Sequence, residues 1–175
     1  MTPNGPPADE SWSAHDTWNA EARGETPTER LDRNWSALLQ ELRVAQTGVQ
    51  LLTGLLLTVP FQARFVELAT HQRVLYLIAT SLSVLATGLL ISPVMLHRVL
   101  FRQRGMALLV GAAQVFAIAG LSTLGLAVTA VVGLIFEIVL GTAAGIVAGI
   151  AAVLLLALLW GAFPLAVRRR IPPVD

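Results

Sequence analysis

From Thr26 onward, apolar residues recur at helical spacing. Leu31, Trp35, Leu38 and Leu42 fall on one side of a segment whose other positions are polar or charged. Thr26 stands where an N-cap is needed, Pro27 fits the first helical position, and Glu29 completes a capping box three residues after the cap. The pattern predicts an amphipathic juxtamembrane helix over 27–43, with Trp35 at the headgroup level. Beyond it the apolar runs lengthen to about the 20 residues that cross a bilayer core. Two spans are read at about 44–61 and 74–96. The stretch 106–167 carries one carboxylate and no basic residue, too long for one crossing and too short for three with turns. It divides into spans of about 106–131 and 138–165, with a turn expected near Val132 to Glu137.

Span one is unusual. Gln40, Arg43, Thr47, Gln50, Gly54 and Thr58 share a narrow arc of the helix, flanked by Gln46 and Thr53. Leu38, Leu42, Val49, Leu52 and Leu56 lie on the other side. An amide turned to acyl chains lacks a partner, at a cost of kilocalories. The stripe of Arg43, Gln46, Thr47 and Gln50 is therefore expected to face the bundle interior, another subunit or a wetted cavity, with span one as the inner helix. Its chemistry reads either as interhelical glue or as the wall of a solute or ion path.

Span four opens with "GTAAGIVAGIAAV", in which Gly141, Gly145 and Gly149 repeat every four residues. Small residues at this spacing let helix backbones approach closely, so the seam serves span three or span four of a second copy. Pro60 and Pro93 stand near the ends of spans one and two, where they would end or kink a helix.

Composition agrees with this reading. Hydrophobic residues make up 55% of the 175 and charged residues 13%, about half the charge of soluble domains, which carry roughly 25%. Such a chain cannot hide its apolar surface in water. The fold class is all-α: a four-transmembrane-helix bundle with a disordered acidic N-terminal tail over 1–25, a membrane domain over 26–170 and a short tail over 171–175. The N-terminal tail is polar and acidic, with Trp12 and Trp18 as its stray aromatics. Nothing in it resembles a secretory signal, so the first span is expected to act as its own insertion signal. Every basic residue is arginine. Arg23, Arg30, Arg33 and Arg43 precede span one. Arg98, Arg102 and Arg104 join spans two and three, and Arg168 to Arg170 follow span four. Only Arg64 and Arg73 lie opposite. The positive-inside rule then puts both termini in the cytoplasm of a multi-pass plasma-membrane protein, its arginines facing anionic headgroups.

Ionisable residues near the spans are few. Counting back from the outer loop brings Glu41 level with His97 and Arg98, an expected inner charge cluster. Glu137, placed at the turn, is a candidate outer carboxylate with Arg64, Arg73 or His71 as its partner. Cysteine is absent, which excludes disulfides and thiolate chemistry. The histidines are scattered, and no catalytic constellation, metal-ligand cluster, phosphate loop or cofactor site emerges. Neither an enzyme nor a nucleic-acid partner is expected.

"LLQELRVAQTGVQLLTGLLLTVPFQARF" and "TGLLISPVMLHRVLFR" resemble a family of small bacterial four-span membrane proteins of unknown function, over about Thr28 to Arg170. Members are sometimes labelled sodium:proton antiporters. The resemblance implies the fold and the membrane location but no catalytic residues. Two functions follow as expectations. One is a non-enzymatic helical bundle that packs with itself (through span four), with lipid or with a partner. The other is a small secondary transporter of the antiporter type, using Arg43 and Gln50 with Glu41 or Glu137.

Overall fold

Thr26 opens the first helix as its sequence dictates. Its backbone N–H donates to the Glu29 carboxylate at 2.8 Å, and the Glu29 N–H returns a bond to its Oγ1 at 3.3 Å. Helix α1 then runs unbroken over Pro27–Thr58. The juxtamembrane segment and span one are thus one rod, and no boundary separates them at residue 43. The computed structural model describes residues 23, 24, 26–100 and 106–169. Most of the expected N-terminal tail, the loop residues Phe101, Arg102 and Arg104, Arg170 and the C-terminal tail lie outside the described residues, as do the side chains of His97 and Arg168.

After α1, Pro60 tightens the chain into a 3-10 turn, Val59–Phe61, followed by a second over Ala63–Glu67. Helix α2 covers Thr70–Leu100 and α3 covers Met106–Leu140. Helix α4 covers Thr142–Ala157 and continues through a π-turn, Leu158–Ala162, into the short α5, Phe163–Arg168. Pro164 lacks an N–H for the turn before it, and the π-turn widens the helix where that donor is missing. No strand occurs among the described residues, and four helical stretches are long and apolar enough to cross a membrane: Glu29–Phe61, Thr70–Leu96, Val110–Leu140 and Thr142–Val167. The chain is an all-helical, four-span protein.

The turn between spans three and four falls at Gly141, later than the expected 132–137. Gly133 lies in the expected stretch but stays helical, packed against Gly145 and Gly149 of span four, so α3 continues to Leu140 and the chain reverses at Gly141. Gly141 has φ +92°, a conformation that a side chain resists. Pro93 does not end α2 either. It is buried inside the helix, which carries on past it.

Helices α1, α2 and α3 pack around a core of Leu42, Val49, Ala86, Leu90 and Ala117. Leu56, Tyr76 and Leu134 extend it toward the loop end. At the other end Trp35 packs against Ala113 with Leu38, Leu39, Leu96 and Val110 around it. It is 7% exposed, so this indole seals the bundle end instead of lying open to headgroups. Span four sits to one side, packed chiefly against α3. The glycine seam makes that contact: a Cβ on Gly145 would meet Glu137 Cβ at 2.6 Å and the Gly133 carbonyl at 2.8 Å. Gly149 faces Gly133 across the same seam. Further along, Gly125 leaves room for the Trp160 indole. Gly145 and Gly149 are thereby used within the chain, and Gly141 serves the turn, not the seam.

Candidate functional site

The stripe on α1 divides. Beyond Trp35, the buried residues of this helix are Leu42, Val49 and Leu56, so the leucine edge faces the core. Arg43, Thr47, Gln50 and Gly54 are exposed on nearly the opposite side. Span one is accordingly a peripheral helix with a polar outer face, against the expectation of an inner one. The contact is one of van der Waals packing: Leu42 and Val49 fit against Ala86, Leu90 and Ala117.

Only the flanking residues reach inward. Gln46 Nε2 donates to the Leu90 carbonyl at 2.7 Å, in the turn before Pro93 where a proline crowds the preceding carbonyls. Thr53 Oγ1 lies 2.5 Å from Ser83 Oγ and 3.5 Å from Thr87 Oγ1. Near the loop end the Tyr76 hydroxyl donates to the Leu56 carbonyl at 2.8 Å, and its ring meets Phe65 edge-on with centroids 5.3 Å apart. Together these form a line of polar contacts between α1 and α2. Tyr76, Ser83 and Thr87 are its members that sequence reasoning missed. A signal existed: Thr80, Ser83 and Thr87 stand at helical spacing on one side of span two.

Glu137 lies in the last turn of α3, close to the chain reversal. It is 9% exposed. His71 Nε2 stands 2.5 Å from its Oε1, and Thr142 Oγ1 stands 3.5 Å from the same oxygen. Of the three partners considered, His71 is the one brought to it, because α2 begins directly beside the end of α3. Beneath this carboxylate a groove of about 370 Å³ runs along the membrane-facing side of α3. Leu75, Ile78 and Leu82 of α2 form one wall, Ile146 and Gly149 of α4 the other. It lies where span four leans chiefly on α3.

Of the expected inner charge cluster, two members lie among the residues whose side chains are described. Glu41 and Arg98 are both exposed and form no ion pair with each other, and the His97 side chain lies outside the described residues. No group of three metal-ligating side chains occurs among the described residues.

A family model described as a family of unknown function (DUF6328) matches residues 24–164. The comparison with curated proteins finds no match, and that with solved structures finds none.

Proposed function

Since the chain belongs to the DUF6328 family of unknown function, its role has to be argued from its own side chains, and we propose that it is a non-enzymatic helical membrane module acting by packing with lipid and with other membrane chains. One observation carries this reading. The polar side chains turned toward the core from α1 and α2, namely Gln46, Thr53, Ser83 and Tyr76, are taken up in helix–helix hydrogen bonds. Such contacts hold helices together and leave little for a passing solute to bind. In this reading the protein lies in the plasma membrane with both termini cytoplasmic. Its arginines near the chain ends meet anionic lipid there.

A second reading, a small secondary transporter of the sodium:proton antiporter type, is favoured by one feature. Glu137 is a shielded carboxylate next to an open groove, and ionisable groups within spans commonly mark ion pathways. Everted membrane vesicles loaded with a pH dye separate the two. Under the packing reading, sodium addition gives the same signal for the wild type, Glu41→Gln and Glu137→Gln as for vesicles lacking the protein. A sodium-driven pH change that Glu137→Gln abolishes would overturn it in favour of transport.

A further inference from the structure

The outward face of α1 presents a problem that lipid cannot solve. Two hydrogen bonds set the register between spans one and two: Gln46 with Leu90, and Thr53 with Ser83. Interpolating, Gln50 comes level with Ala86, near the middle of the Thr70–Leu96 span. Its amide is exposed and makes no side-chain hydrogen bond among the described residues. The hydroxyls on the outer surfaces of the spans are not in this position. Thr47 Oγ1 donates to the Arg43 carbonyl at 3.0 Å, Thr58 to Leu55 at 2.7 Å and Ser92 to Gly88 at 2.8 Å. A glutamine is too long to fold back in that way, so Gln50 holds two donors and an acceptor at the depth where water is scarcest.

The residues around it form a continuous seam. Gln40, Arg43, Thr47, Gln50, Gly54 and Leu57 follow one another at steps of three and four, and all are exposed. That is a heptad rhythm, the pattern by which two helices wrap around each other at a shallow angle. The opposite edge of α1 has the same rhythm in Leu38, Leu42, Ala45, Val49, Leu52 and Leu56, and α2 and α3 occupy it. One helix thus carries two seams, and one of them has no partner. Gly54 lies one turn beyond Gln50 with nothing within 4 Å of its Cβ position, which lets a second backbone come close.

We propose that this seam is a parallel interface with a second copy of the chain, its two Gln50 amides bonded to each other across a two-fold axis along the membrane normal. The occupant follows from symmetry. Such an axis brings each residue of α1 to its own counterpart at the same depth, and a carboxamide, being donor and acceptor at once, is its own complement. Arg43 comes level with Pro93 by the same register, close to the end of the Thr70–Leu96 span. Its guanidinium reaches headgroup phosphates there, so the paired arginines meet screened by water and lipid. Span four offers no comparable demand: Val147 and Leu155 on its outer side are apolar and exposed, and acyl chains suit them. The inference deepens the packing reading by naming the partner and the surface.

The chain has no cysteine, so single cysteines report directly on this seam. Thr47→Cys and Gly54→Cys, with Gln50 intact, should give cross-linked dimers in native membranes under copper phenanthroline. Leu51→Cys and Leu55→Cys are equally open to lipid, with those leucines 66% and 67% exposed, yet they lie off the seam and should not. Gln50 is exposed and makes no side-chain hydrogen bond among the described residues, so Gln50→Leu should fold normally. It should weaken dimerisation about tenfold, measured by energy transfer on dilution into liposomes, whereas Gln50→Asn should retain most of it. Linking at 51 and 55 as strong as at 47 and 54 would overturn the proposal. So would an unchanged dimer in Gln50→Leu, a monomeric wild type, or one-to-one recovery with a different protein. A sodium flux alongside seam-specific linking would remove the packing reading and leave the dimer standing. No linking together with no flux would do the reverse.

Discussion

At the residue scale, Gln46 and Gln50 are the same side chain one helical turn apart with opposite fates. Gln46 points between α1 and α2 and finds the Leu90 carbonyl, whereas Gln50 points away from the core. Replacing Gln46 by leucine should therefore lower the stability of the isolated chain by about 0.6–1.7 kcal/mol, the range for interhelical hydrogen bonds in membranes. The same change at Gln50 should leave that stability unaltered. Unfolding in bicelles at concentrations where the chain is monomeric checks both. Glu137 and His71 form the other pair settled at this scale. A double-mutant cycle with Glu137→Gln and His71→Ala should give a coupling on the order of 1 kcal/mol, and a value near zero would mean that the contact contributes nothing. The sequence named both glutamines and Glu137 as notable, but their surroundings depend on residues far along the chain.

At the element scale, the glycines sort into distinct kinds of work. Gly145 brings α4 against α3, Gly141 reverses the chain, and Gly48 faces open space. A methyl at Gly145 would collide with Glu137 Cβ and the Gly133 carbonyl, neither of which can swing aside. Gly145→Ala should then destabilise by about 1–3 kcal/mol through overpacking, with Gly48→Ala as a neutral control in the same unfolding measurement. GxxxG spacing made close packing legible in the sequence, and the helix lengths were legible from hydropathy. The turn was not, because hydropathy alone does not say where within 106–167 the chain reverses. The chain passes Gly133, which stays helical against α4, and reverses at Gly141 with φ +92°.

At the scale of the whole molecule, three spans form a core and the fourth leans on its side. In the topology we propose, four crossings put both chain ends on one face of the membrane, and arginine bias assigns that face to the cytoplasm. Reporter fusions at each terminus should both read as cytoplasmic, and a cysteine at Gln62 should be labelled by an impermeant thiol reagent from outside. A split result between the termini would break the four-span topology. The leaning fourth span should also respond to its surroundings: Trp160, which packs over Gly125, gives a fluorescence handle on its separation from α3.

Residue order was enough to establish the membrane class, four helical crossings, the capping box, and the existence of a polar stripe and a glycine seam. These are local matters of hydropathy, periodicity and spacing, which each helix satisfies on its own. Which face of α1 turns inward, which helix meets the glycines, and which partner reaches Glu137 were decided by the tertiary structure alone. Each depends on what the neighbouring helices offer. The leucine edge of α1 packs closely against Ala86, Leu90 and Ala117, and the amide edge on the other side of the helix is thereby turned away from them.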